Sequence, residues 1–249
     1  MELFGEGLAW LADPANWTDE RNGILLRLWE HVSLSAAALF VAVLVGLPLG
    51  LWIGHTGRGA AAVITIANIG RAVPSVGWLG IVFPLTLALL GRNGLGFVPS
   101  LIALAALGIP PIVTNTYAGM REVDRDLIEA GRGMGMRETE VLRQVEVPVA
   151  LPVILAGVRI SAVQIVATAT LASIVGGGTL GEFIVQGIFI RALDRVVGAA
   201  ILVAILAILT ELVFSFIQRR AISPGLTGRT AWNPMEPAQM GLPGGAPDV

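Results

Sequence analysis

Long apolar runs alternate with short polar stretches along the 249 residues of the chain. Residues 34–53 form the first run, with Pro48 inside it and Trp29 and Trp52 on its flanks. At about 1.5 Å per residue these tryptophans stand roughly 34 Å apart, close to the spacing of the aromatic belts at the two faces of a bilayer. The second run, 61–90, exceeds the roughly 20 residues a helix needs to cross. Pro74 and Pro84 inside it predict a kinked or broken helix. A third run covers 98–117 and contains Pro110-Pro111. Residues 119–147, with five arginines and seven acids, are too polar to enter lipid. A fourth run follows at 150–175 and ends in Gly176-Gly177-Gly178; residues 179–195 mix apolar and charged positions and predict a short interfacial or re-entrant helix. The fifth run is 196–217. The pattern predicts an all-α, polytopic membrane protein with about five transmembrane helices. It divides into an N-terminal segment 1–30, a membrane domain 31–220 and a tail 221–249, whose prolines and glycines favour disorder. No internal repeat is visible.

Composition sharpens this picture. The chain is 55% hydrophobic and only 14% charged, with a mean hydropathy of +0.78, whereas soluble domains carry about 25% charged residues. It has no cysteine, which excludes disulfides, thiolate metal sites and cysteine nucleophiles. Its two histidines, His31 and His55, stand alone at the ends of one apolar run and read as interfacial residues rather than ligands. The net charge of −2 gives no sign of nucleic-acid binding. All 16 basic residues are arginine. A P-loop needs a lysine on the nucleotide phosphates, so any ATPase that drives this protein must be a separate chain. The first residues lack the basic region of a signal peptide, and Asp13, Asp19 and Glu20 interrupt them, so no cleavage is expected there.

Orientation follows from arginine counting. Five crossings place Arg58, the arginines of 119–147, Arg219, Arg220 and Arg229 on one side, against Arg21, Arg27, Arg92, Arg191 and Arg195 on the other. The 119–147 loop and the C-terminus are therefore expected in the cytoplasm and the N-terminal segment outside.

The loop itself carries a pattern. Glu129-Ala130-Gly131 is followed by three residues, Gly135, nine residues and then Val145-Glu146-Val147-Pro148. Asp124 suits the N-cap of a helix that begins near Arg125. Leu127, Ile128 and Ala130 supply a short apolar patch, and the glycines at 131, 133 and 135 break the helix. A second amphipathic segment, with Val141, Leu142 and Val145 on one side, runs up to Pro148. The alternative is an amphipathic loop lying on the membrane, but its surplus of acids would be repelled by anionic lipid.

This spacing resembles the EAA motif, E-A-A-x3-G-x9-I-x-L-P, of the permease subunits of ATP-binding-cassette (ABC) importers. Gly131, Val145 and Val147 depart from it conservatively. The resemblance implies a methionine-type (MetI-like) permease fold whose coupling loop, about 119–148, docks on a separate ATPase. Glu129, Ala130, Gly131, Gly135 and Pro148 are then the coupling residues. It further implies ABC ATPase subunits, a second permease subunit (identical or different) and an extracytoplasmic substrate-binding protein as partners. ATP would be bound by the ATPase, leaving this chain without a cofactor or metal.

Further segments are similar to the glycine betaine and osmoprotectant branch: Ala72-Val73-Pro74-Ser75, Leu155 to Arg159, Ala167 to Ala172 and Gly176 to Gly181. They imply a glycine betaine, choline or carnitine type of solute, with a methionine-type importer as the alternative. Ser75, Trp78, Phe83 and Phe189 are candidates for the substrate path, since aromatic faces hold quaternary ammonium groups; ordinary helix packing is the competing reading of the aromatics. Arg71, Arg159 and Glu211 fall within apolar runs, where ionised groups are costly. Their similar depths predict that Glu211 neutralises Arg159, Arg71 or both; the alternative is separate snorkelling to the headgroups. No cluster of acids, histidines or nucleophiles supports a membrane-embedded enzyme, and a passive channel leaves the loop pattern unexplained.

Overall fold

The computed structural model describes residues 2–20 and 22–221, and these residues are helical with short connections. The tail expected to be disordered falls almost wholly on 222–249 and lies outside the described residues. The helices are α1 (Glu2–Ala12), α2 (Ala15–Thr18), α3 (Ile24–Thr56), α4 (Ala60–Ala72), α5 (Ser75–Leu90), α6 (Phe97–Arg121), α7 (Arg125–Gly133), α8 (Glu138–Glu140), α9 (Val147–Thr168), α10 (Gly181–Ile190) and α11 (Leu193–Ala221). Among the described residues, five helical stretches are long and apolar enough to cross a membrane: α3, Ser75–Gly94, α6, Glu138–Val175 and α11. This is the five-span, all-α architecture expected from the apolar runs.

The first two runs take a more definite form in the structure. The first starts at Ile24, ten residues before the apolar run, so α3 has 33 residues. At about 1.5 Å per residue it is roughly 50 Å long and overreaches the ~30 Å hydrocarbon layer. The second run is broken, one of the two forms its prolines predict. Val73 is extended (φ −70°, ψ 123°), the conformation forced on a residue that precedes proline, and Pro74 then opens α5. The short helix expected within 179–195 is α10, between left-handed turns at Gly178 and Arg191.

The core is a close three-helix contact of α3, α6 and α9, built on small residues as in other membrane bundles. A Cβ at Gly46 would come 3.2 Å from Ile112, one at Gly50 2.6 Å from Thr116 and one at Gly54 2.5 Å from Met120, all on α6. On the other side of α6, a Cβ at Gly108 would press on Ser161 of α9 at 2.7 Å, and one at Gly157 on Asn115 at 2.6 Å. The Ser161 hydroxyl donates to the Gly108 carbonyl (2.9 Å), a polar tie within the core.

The two ends of α3 define the two ends of the bundle. Its first turns meet the glycine turn. Glu30 accepts from Arg27 (2.9 Å) and from the Thr179 backbone N–H (3.1 Å), and His31 Nε2 donates to the Val166 carbonyl (2.9 Å). His31 is fully buried between helices rather than interfacial. The N-terminal helices stand at this same end, where Trp10 packs edge-on against Phe183, 5.1 Å between ring centroids. At its other end α3 stops beside the polar 119–148 loop.

Candidate coupling site

The loop folds as a helix, a tight turn and a second helix that leads directly into the membrane. Asp124 caps α7, its carboxylate accepting from the Asp126 N–H at 2.9 Å, which satisfies one of the free donors of a helix start. α7 ends at Gly133. Met134 N–H bonds back to Ala130, Gly135 N–H to Arg132 and Met136 N–H to Gly131. Gly135 has φ +86°, a left-handed conformation costing roughly 1–2 kcal/mol for a residue with a Cβ. Across the turn Arg132 holds Glu138 with two parallel bonds of 2.9 and 3.0 Å. These bonds push the Arg132 guanidinium up, and in return Arg132 holds the Glu138 carboxyl below its usual range. Both side chains are open to solvent, so the bridge orients the turn more than it stabilises it.

The second arm does not stop at Pro148. α8 passes into one turn of π-helix, Val141–Glu146, and then into α9 without a break. The Val147 N–H reaches the Leu142 carbonyl, five residues back. The widening has a cause: Pro148 has no N–H, and its ring crowds the carbonyl four residues before it, so the helix loosens one turn ahead of it. Single π turns of this kind often sit at functional positions.

Of the motif residues, Glu129, Ala130, Gly135 and Pro148 are exposed, while Gly131 is buried. A Cβ at Gly131 would meet the Met136 sulfur at 3.3 Å and Val141 and Val145 at 3.7 Å. Gly131 is therefore where α7 closes on the second arm. Leu127 (50% exposed) and Met134 (77% exposed) are apolar side chains left open beside Glu129 and Ala130. The arrangement is a small, stiff knob with apolar and acidic features facing outward. It is suited to docking. Among the described residues no group of three or more His, Asp or Glu could hold a metal ion.

One pairing at this site escaped the sequence. His55, in the last turn of α3, donates from Nδ1 to Glu146 at 2.5 Å, and its Nε2 lies 3.5 Å from Glu138. Glu146 is the unspecified residue of the motif, and it is buried. The partners are 91 residues apart in sequence, and no local signal links them.

Of the two arginines expected within the apolar runs, Arg159 is the one that meets Glu211. Its Nε donates to one carboxylate oxygen at 2.8 Å, its other arm to the second oxygen, and Nη1 to Gln218 at 3.2 Å. Arg71 is exposed on the last turn of α4 and makes no ion pair among the described residues. The four path candidates do not converge. Trp78 and Phe83 sit in one apolar cluster with Leu79, Ala103 and Val175, and the Trp78 N–H is bonded to the Gly70 carbonyl (3.2 Å). Ser75 lines a cavity of about 10 Å³ beside them, room for no more than one water. Phe189 is 83% exposed on α10, apart from that cluster.

A family model described as the binding-protein-dependent transport system inner membrane component matches residues 46–223. The chain belongs to this family. Among its relatives is the choline transport system permease protein OpuBB of Bacillus subtilis, 38% identical over 203 residues that span 82% of this chain and 90% of that protein. The glycine betaine/carnitine/choline transport system permease protein OpuCB of the same organism is 37% identical over 205 residues, 82% of this chain and 91% of that one. Of solved structures, the inward-facing MetNI methionine ABC transporter aligns with a TM-score of 0.72 and 25% identity, covering 80% of this chain and 96% of the other. The permease is an inner-membrane component of an ABC transport system, and the matched region contains the whole 119–148 loop.

Proposed function

We propose that this permease carries a compact quaternary-ammonium osmoprotectant of the glycine betaine, choline or carnitine type into the cell, driven by ABC ATPases that dock on the 119–148 loop. The observation that carries the solute class is similarity of 37–38% across four-fifths of the chain to permeases named for those compounds, against 25% to the methionine transporter. The exposed knob of Glu129, Ala130 and Met134 enters the ATPase, and Gly131 and the Arg132–Glu138 bridge keep its two arms rigid. ATP binding draws the ATPases together; the two arms then move α6 and α9, to which they are joined by the chain itself. No residue of this chain makes or breaks a bond in the cycle.

Two permease chains form the path, and an extracytoplasmic receptor delivers the solute. The cation-binding cage belongs to that receptor, because the cavity of about 250 Å³ beside Trp78 is lined by no second aromatic ring and the one at Ser75 is far smaller than a trimethylammonium group. The Arg159–Glu211 pair lets two charges sit within the spans without presenting a bare positive charge to a cationic solute.

Uptake of labelled glycine betaine, choline, carnitine and methionine into cells with and without the protein, at low and high osmolarity, tests the solute class. Uptake of a quaternary ammonium compound that depends on the protein is the expected result. Uptake of methionine alone would replace this reading with the methionine-type importer.

A further inference from the structure

The coupling element is continuous in the chain with α6 and α9, but α3 reaches it only through side chains. Among the described residues, the polar link between α3 and the element is His55, set between the carboxylates of Glu138 and Glu146. We propose that His55 is a positioning residue for transport: it fastens the loop end of α3 to the coupling element, so that a displacement of α7 and α8 moves α3 together with α6 and α9. The inference rests on the reading of this loop as the ATPase dock.

Three observations carry it. First, Glu146 is 4% exposed and its hydrogen-bond partner is His55. A buried carboxylate is expensive unless it is paired and hydrogen-bonded, so this link is costly to open. The neighbouring cavity of about 290 Å³ also presents Arg121, Arg125, Glu129 and Arg132, yet the histidine is the group in contact with Glu146. Second, Glu138 and Glu146 are eight residues apart, whereas two α-turns take about 7.2. The widened turn Val141–Glu146 takes up the difference and turns both carboxylates toward His55. The π turn thus has a use beyond accommodating Pro148.

Third, α3 is anchored at its far end too. Glu30 binds the backbone of Thr179, and His31 binds Val166. Thr179 is held at φ +70° and its hydroxyl donates to the Ala169 carbonyl at 3.1 Å. A helix gripped at the coupling element and at the glycine turn is a strut between the two faces of the bundle. His55 is the grip through which the ATPase side would push it.

The test uses the complete transporter, with its ATPases and receptor, in vesicles. The chain is compared as wild type, His55→Ala, His55→Gln, Glu146→Gln and the His55→Ala/Glu146→Gln double variant. Co-purified ATPase, ATP hydrolysis and uptake of labelled glycine betaine, choline and carnitine are measured side by side. His55→Ala is expected to keep its ATPase and most of its hydrolysis while transport per ATP falls about tenfold, the scale of one charge-assisted hydrogen bond. His55→Gln, whose amide can still donate to Glu146, recovers most of the loss, and the double variant is no worse than His55→Ala.

A readout independent of the solute is hydrogen exchange at residues 24–31 on adding ATP with a hydrolysis-deficient ATPase. The exchange response there is smaller in His55→Ala than in the wild type, while the change in α6 and α9 persists. Wild-type transport per ATP, or an undiminished exchange response at 24–31, in His55→Ala would overturn the proposal. So would an equal loss of complex yield in His55→Ala and His55→Gln, which marks a merely structural residue. Failure of the docking reading looks different: ATPase would then remain bound when Glu129 or Gly135 is substituted, whatever happens at His55.

Discussion

Glycine at 131 stands where the importer motif has its second alanine, and the surroundings explain why either residue serves. An alanine methyl would meet the flexible end of Met136 and ordinary contacts beyond it. Gly131→Ala is expected to keep uptake and to gain up to about 1 kcal/mol from helix propensity, seen as an unchanged or raised melting temperature in detergent. Gly135 is the opposite case. Its left-handed backbone makes Gly135→Ala cost roughly 1–2 kcal/mol at the turn, so transport should fall before membrane insertion does. The charges in the spans give a second residue-scale prediction. Arg159→Gln and Glu211→Gln each leave an unpaired partner, so each lowers melting temperature and uptake, and the double variant recovers part of both. A double variant no better than either single would remove the support for pairing. Counting depth along the runs put Arg71, Arg159 and Glu211 at one level, but choosing between the arginines needs the rotation of each helix, and that is set by packing.

At the scale of elements, the contact between α3 and α6 depends on glycines at 46, 50 and 54. Gly50→Val would drive a branched side chain into Thr116, and overpacking of this kind costs typically about 1–3 kcal/mol. Reduced yield of folded protein from the membrane is the expected result. Gly80→Ala is the control, since nothing lies within 4 Å of its added methyl, and it should leave yield unchanged. The runs were legible because hydrocarbon demands about 20 apolar residues per crossing, and the break at Val73-Pro74 because proline constrains its neighbour. The start of α3 was less visible. Arg27, Glu30 and His31 lower the local hydropathy of its first turns, yet Arg27 and Glu30 pair with one another and His31 is held by Val166. The loop's turn could be read from Asp124 and the glycines, whereas the His55–Glu146 contact joins distant elements and follows only from the folded bundle.

For the whole molecule, orientation is the property that arginine counting assigns and that labelling can check. The chain has no cysteine, so single cysteines report cleanly. Thr139→Cys should react with an impermeant maleimide only from the cytoplasm and Glu6→Cys only from outside; the reverse pattern would invert the protein in the membrane. On the proposed function, the 119–148 loop recruits the ATPase. The most direct measurement is the amount of ATPase that co-purifies with the permease from detergent-solubilised membranes, for wild type and for chains carrying Glu129→Arg or Gly135→Val. Stoichiometric ATPase with the wild type, and loss of most of it with either variant at unchanged permease yield, is the predicted result. ATPase retained in full by both variants would contradict it.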